Sequence, residues 1–291
     1  MFPGLQSVAE TLTIRPAKGK TMSERISKRH ASEFSAGSNV AELRTAGSLW
    51  QAIRHEVKLR ADFEPIMSTF FHASVLNHDT IEGALSFILA SKLDSPVVSS
   101  MAIREIIEQA YAADPSIIHA AEIDIKATRD RDPACNSFST PFLFYKGFHA
   151  LQSQRIAHWL WREERHSLAF YFQSQMSNLF SVDIHPAACI GCGIMFDHAT
   201  GLVVGETAVI DDDVSILHGV TLGGTGKSAG DRHPKVRKDV IIGANATLLG
   251  NIEIGIGAKI GAGSVVLNDV PEHVTVAGVP AVVVKSADSA V

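Results

Sequence analysis

The chain has 291 residues, 46% of them hydrophobic and 20% charged, with a formal net charge of −5. This is the profile of a soluble globular protein with no basic surplus to neutralise phosphates, which excludes a general nucleic-acid binder. No apolar run approaches the roughly 20 residues of a membrane helix. Cys135, Cys189 and Cys192 are too few for a disulfide framework, and with no apolar secretory core at the N-terminus they point to the cytoplasm.

Residues 1–45 are rich in Ser, Lys, Arg and Gly and lack periodicity; Arg15, Lys18, Lys20, Arg25, Lys28 and Arg29 form a local basic run. The composition reads as a flexible extension, with an anionic-surface anchor or a packing arm as the rival reading. Residues 46–182 read as a helical domain. Trp50, Ile53 and Val57, then Phe63, Ile66 and Phe70, recur at three and four. Asp79 or Thr80 is placed to cap a helix running through Ala90. Pro96, Pro115, Pro133 and Pro141 punctuate the region at helix boundaries. Leu151, Ile156, Trp159, Leu160, Leu168 and Phe172 predict a long helical hairpin.

At Asp183 the period changes to six, and residues 183–291 read as a second domain. Ile184, Ile190, Phe196 and Leu202 are six apart. After a two-residue slip the count resumes at Val204, Ile210, Ile216 and Leu222, and then at Ile242, Leu248, Ile254, Ile260 and Val266. A sustained hexapeptide rhythm predicts a parallel β-helix, three hexads to a coil, with coils about 4.8 Å apart. In this register His198 and His218 hold equivalent positions on the third side of successive coils, so their imidazoles stack. Asp183 lies just below that side, close enough for its carboxylate to reach the same edge.

The rhythm is interrupted over residues 223–239, GGTGKSAGDRHPKVRKD, an insertion expected to be a functional loop that leaves the coil near the same place. His185, His198, His218 and His233 are thus expected near one edge and its loop. A histidine beside a carboxylate can serve as a general base, and His198 with Asp183 is the best pair. Arg232 offers a fork that matches a carboxylate. Lys227, Lys235, Arg237, Lys238 and Lys259 are available to phosphates, with solvated surface charge as the commoner outcome. Cys189 and Cys192 have C-x-x-C spacing without a second pair, a weak zinc or redox signal. Gly223, Gly224 and Gly226 are a weak phosphate loop; a backbone N–H there can instead face an oxyanion.

Specific strings then carry a family likeness: AYAADP at 110–115, TRDRDPA at 128–134, STPFLFYKGFHALQ at 139–152 and VDIHPAA at 182–188. DHATGLVVGETAVI at 197–210, SILHGVTLGGTGKSAGDRHPK at 215–235 and AGVPA at 277–281 continue it. From about Ser48 to Pro280 the chain resembles the bacterial serine O-acetyltransferases of the hexapeptide-repeat acyltransferases. The resemblance implies an α+β multi-domain protein, an N-terminal all-α domain followed by a left-handed parallel β-helix. It implies direct acetyl transfer from acetyl-CoA to the L-serine hydroxyl, without a metal or a permanently bound cofactor. His198 would be the base and Asp183 its orienting partner. Asp132 and Asp197 would hold the ammonium, Arg232 and His233 the carboxylate, with Glu206 and His218 in support. Gly224 would supply an oxyanion donor, and coenzyme A would lie near Ala244, Lys259 and Ala262.

The same resemblance implies trimers joined through the helical domains into a hexamer, and L-cysteine as a feedback inhibitor at the serine site. Many relatives carry a longer tail ending in Ile; here the chain ends at Val291, which puts a complex with O-acetylserine sulfhydrylase in doubt. Three other readings compete: a hexapeptide acetyltransferase with a sugar or xenobiotic acceptor, a β-helical carbonic anhydrase with zinc on three histidines, and a non-catalytic scaffold.

Overall fold

The helix starts follow from their caps. Ser48 Oγ accepts from the Gln51 N–H at 3.4 Å and opens α1 (Leu49–Phe63). Thr80 Oγ1 accepts from the Gly83 N–H at 3.2 Å and opens α2 (Ile81–Leu93). The computed structural model describes residues 48–226 and 229–285; the expected N-terminal extension, Lys227 and the tail ending in Val291 lie outside them. Helix α1 stops at Phe63 because Pro65 cannot continue it. That stop divides the expected apolar run. Trp50, Ile53 and Val57 enter the core, whereas Ile66 is 89% exposed.

Short 3-10, α and π turns (Pro65–Met67, Ser68–Phe71, His72–Leu76) link α1 to α2. There follow α3 (Ser100–Ala113), α4 (Ser116–Arg131), α5 (Ser139–Phe144), α6 (Lys146–Arg162) and α7 (His166–Phe180). Helices α6 and α7 form the expected hairpin, burying Leu151, Ile156, Leu160 and Phe172. Ser181 ends α7 in the left-handed region, φ 56°. The first strand begins one residue later, so the helical period gives way to the hexameric one within a few residues of Asp183.

The strands, numbered in chain order, stack on three faces. The first face holds β1 (Val182–Ile184), β4 (Leu202–Val204), β7 (Thr221–Gly223), β10 (Thr247–Leu249) and β13 (Val265–Val266). The second holds β2 (Cys189–Ile190), β5 (Val209–Ile210), β8 (Lys235–Val236) and β11 (Glu253–Ile254). The third holds β3 (Met195–Phe196), β6 (Ser215–Ile216), β9 (Ile241–Ile242), β12 (Lys259–Ile260) and β14 (Thr275–Gly278), and β15 (Ala281–Lys285) pairs antiparallel with β14. All other ladders are parallel. The hexad leaders stack as expected: Ile184, Val204, Leu222 and Leu248 are paired in turn on the first face and fully buried.

Two features of the register differ from expectation. Val236 is itself a leader, six before Ile242, buried and paired with Ile210. The interruption expected over 223–239 therefore narrows to 224–234, and the third coil runs Leu222, Val236, Ile242. The two-residue slip lies in one corner. Phe196 pairs with Ile216, and Gly201 lies over Gly219. Four residues thus separate Phe196 from Gly201 where two separate Ile216 from Gly219. The extra pair is taken up at His198 and Ala199, both left-handed at φ 57° and 60°.

The helices and the β-helix share one continuous core. At their junction the Asp124 carboxylate is fully buried and accepts from Arg155 Nη2 at 2.7 Å, Gln152 Nε2 at 2.9 Å and the Ile194 N–H at 2.9 Å. Arg155 also donates to the carbonyls of Ile190 and Gly191. Arg131 donates to the carbonyls of Gly193 and Asp213 and pairs with the Asp213 carboxylate at 2.8 Å. Backbone carbonyls of the coil thus bind arginines from two helices, which sets the helical layer against the first coils.

Candidate active site

The longer corner, between the third and first faces, carries the first cluster. His198 stands on it with its side chain 74% exposed, and its Nε2 lies 3.8 Å from Asp197 Oδ1. The ring of His218, one coil on, meets it edge-on with centroids 5.7 Å apart, as the register predicted. The helical layer reaches the same corner. Gly147 packs on the Phe196 carbonyl, where any Cβ would collide. Its neighbour Lys146 bonds Thr200 Oγ1. Tyr145, next in the chain, donates to Asp132 Oδ2 at 3.1 Å, and Asp132 Oδ1 accepts from the Ala134 N–H at 2.8 Å. Asp132 is the C-cap of α4, and its carboxylate is tied through Tyr145 to the start of α6, the segment that meets the corner of Asp197.

This corner continues toward the C-terminus. Gly219 N–H donates to Thr200 O, Asn245 N–H to His218 O and Gly263 N–H to Ala244 O, each at 2.8 Å. Ala244 and Ala262 therefore lie on the same column of corners as His198, and Lys259 stands exposed on the third face beside it. Asp183 is on β1, where its Oδ1 accepts from Gln173 Nε2 of α7 at 2.7 Å. The partner that the structure gives this carboxylate is Gln173, and the carboxylate in ion-pair range of His198 is Asp197.

A second cluster occupies the corner between the first and second faces. Arg232 Nη2 pairs with Glu206 Oε2 at 2.6 Å, and this bond holds the Glu206 carboxyl below its ordinary range. Thr207 Oγ1 accepts the backbone N–H groups of Arg232 and His233 at 3.0 and 3.1 Å. His233 is buried against Gly205, which has no room for a Cβ. Burial, then the Arg232 charge, lowers the His233 pKa. His185 lies at the same corner one coil earlier, packed on Trp161 and Phe170, and burial lowers its pKa as well. Gly224, at the start of the loop, packs against Arg232.

The expected gathering of four histidines at one edge is thus corrected to two pairs at two corners. The loop leaves β7 on the first face and re-enters at β8 on the second. It delivers Arg232 and His233 to the far end of the first face from His198, on the order of 10 Å away for a few extended residues. Sequence reading passed over Tyr145, Lys146, Gly147, Gln173 and Thr207. Thr207 adjoins Glu206 in the GETA string, but nothing in the hexad period marks the helical residues. Cys135 is buried, Cys192 half-buried and Cys189 exposed, all with free thiols. Among the described residues no group of three or more His, Cys, Asp or Glu is placed to hold a metal ion, and no helix is long and apolar enough to cross a membrane.

Comparison with known proteins agrees with both layers. Residues 49–153 match the family model described as serine acetyltransferase, N-terminal, and residues 233–268 match bacterial transferase hexapeptide (six repeats). The serine acetyltransferase of Escherichia coli (strain K12) is 61% identical over 241 residues, 83% of this chain and 88% of that protein. A solved serine acetyltransferase in complex with cysteine superposes with a TM-score of 0.81 at 62% identity, over 81% of this chain and 98% of its own. The serine acetyltransferase of Brucella abortus strain S19 in complex with coenzyme A does so with a TM-score of 0.82 at 50% identity, over 84% and 98%.

Proposed function

The chain belongs to the serine acetyltransferase family, and we propose that its two corner clusters are halves of one serine site, each completed by a neighbouring copy of the chain. It is a serine O-acetyltransferase, moving the acetyl group of acetyl-CoA to the L-serine hydroxyl with release of coenzyme A. The observation that carries the shared site is the separation of the clusters. The His198 corner has carboxylates for an ammonium, and the lysine that reaches it, Lys146, is engaged with Thr200 Oγ1. The Arg232 corner has the guanidinium fork that matches a carboxylate, and the neutral imidazole.

In this reading Asp132 and Asp197 hold the serine ammonium, and Arg232 and His233 of the adjoining copy hold its carboxylate. The His198 imidazole takes the hydroxyl proton while the oxygen attacks the thioester carbonyl. The C–S bond breaks, and the thiolate takes that proton from the imidazolium. Asp183 orients the base; Gln173 occupies one of its oxygens and leaves the other available. Coenzyme A lies along the column of Ala244, Lys259 and Ala262, with the Gly224 N–H turned to the oxyanion. His218 backs His198, and Glu206 aims Arg232 through their ion pair. L-cysteine, which differs from serine by a thiol for a hydroxyl, occupies the same site as a competitive inhibitor. Residues 46–182 join trimers into a hexamer, and the free thiols suit the cytoplasm.

Mixing His198→Ala with Arg232→Ala subunits tests the shared site. Each variant alone is inactive with serine, and re-assembled mixtures regain thiol release from acetyl-CoA because some sites carry both intact halves. Mixtures that assemble yet stay inactive would overturn the shared site. Release with a sugar acceptor and none with serine would overturn the substrate.

A further inference from the structure

Thr207 is the clasp of the second corner, and its hydrogen bonds determine the chemistry of His233. Its hydroxyl oxygen accepts two backbone N–H groups, those of Arg232 and His233, and lies 2.8 Å from His233 Nδ1. The backbone N–H of Thr207 itself points at that Nδ1 from 3.2 Å. A backbone N–H can only donate, so Nδ1 must accept, and a neutral imidazole that accepts on Nδ1 carries its proton on Nε2. With both oxygen lone pairs engaged, the hydroxyl can only donate its hydrogen, and Nδ1 and the Asp231 carboxylate are the acceptors beside it. Protonating Nδ1 would set an N–H against the Thr207 N–H in a site only 7% exposed. The ring cannot swing away, because its Cδ2–Nε2 edge lies against Gly205.

We infer that Thr207 is a positioning residue that locks His233 as a neutral imidazole protonated on Nε2, a donor for the substrate carboxylate whose state does not change across the range where a free histidine titrates. The carboxylate part of this inference rests on the function proposed above; the locked tautomer does not. The charged and titratable groups facing His233 are Arg232, Lys235, Glu206 and His185. Arg232 and Lys235 oppose a further positive charge. Glu206 would favour one, but its carboxylate is taken by Arg232. The corner then offers a carboxylate one permanent charge, Arg232, and one directed neutral donor.

Nitrogen-15 spectra of the imidazoles in the full, unliganded protein test the lock directly. The expected result is a His233 ring with unprotonated Nδ1 and protonated Nε2, unchanged from about pH 8 to about pH 6. A proton on Nδ1, or titration within that interval, would overturn it. Thr207→Val keeps the backbone N–H that fixes Nδ1 but loses the hydroxyl that holds the backbone of Arg232 and His233, and it is expected to raise the serine KM about tenfold, with the acetyl-CoA KM unchanged. Thr207→Ser, which keeps the hydroxyl, restores the serine KM. Equal damage from Val and Ser would assign Thr207 a packing role and defeat the inference. Should Thr207→Val fail to fold, the spectra of the unaltered protein still decide. A locked tautomer with a serine KM insensitive to His233→Asn would uphold the lock and reject the carboxylate role of His233.

Discussion

His198 meets His218 edge to face across one coil step, ring centroids 5.7 Å apart and planes at 70°. His218 is half-buried, its Nδ1 sealed from solvent without a hydrogen-bond partner among the described residues, whereas His198 rides the longer corner with its ring largely in solvent. The exposed ring bears little of the packing load. His198→Ala is therefore expected to lower kcat by about 10²–10⁴, the usual contribution of a general base, while the thermal midpoint stays near that of the unaltered protein. Steady-state thiol release and a melting curve on the same preparation check this; retained turnover would remove His198 as the base.

Gly147 joins the helical layer to that corner through its contact with the Phe196 carbonyl. A methyl group there must push helix α6 or β3 aside, displacing Tyr145, Lys146 and with them Asp132. Gly147→Ala is expected to cost about 1–3 kcal/mol of stability, the usual range for overpacking. It should also raise the serine KM more than the acetyl-CoA KM, since the column proposed for the coenzyme lies further along the coils. Equal changes in both constants would count against helix-borne positioning of Asp132.

Asp124 and Arg155 form a buried pair at 2.7 Å between helices α4 and α6. Removing one member leaves the other charged in the core. Asp124→Ala is expected to destabilise by about 3–5 kcal/mol, read as a fall in the urea midpoint. The Ile194 N–H loses its acceptor as well, so the damage should reach the first coil. Hydrogen exchange at residues 190–196 would report this, and unchanged protection there would argue that the two layers are energetically independent.

His149 is buried at 0% exposure, its Nε2 against the Phe142 carbonyl at 2.8 Å. Burial first, and the Lys92 charge second, push its pKa down from 6.5 to about 3. In the unfolded chain the ring titrates normally, so between these values the unfolded state binds more protons. Stability is complete above about pH 6.5 and falls by about 1.4 kcal/mol per unit as pH drops below it. His149→Gln, which keeps a donor for Phe142, should flatten the pH dependence of the thermal midpoint between about pH 6 and pH 4. An unchanged slope would assign acid lability to other groups.

The stacking of His198 on His218 was legible because a β-helix turns chain spacing into spatial register. Six residues make a side, three sides a coil, and the two-residue slip lies at the very corner that bears His198. The helical hairpin was legible from apolar spacing, and the start of α2 from Thr80. Val236 was missed as a leader because it follows the insertion with no earlier hexad to count from. The assignment of His233 to the corner of His198 failed for a related reason. A loop's length does not say at which corner it re-enters.

The sequence by itself thus determined the two-layer architecture and the column of corners, because periodicity is a local quantity, and its resemblance to the serine O-acetyltransferases pointed to the residues for acetyl transfer. Only the tertiary structure decided that Gln173 holds Asp183, that Gly147 seats a helix on the His198 corner, and that Thr207 clasps His233 a full face away. Thr207 and His233 are 26 residues apart, and Lys146 and Thr200 are 54 apart. Contacts at such separations arise when the coil closes and the helices pack against it, and no local period records them.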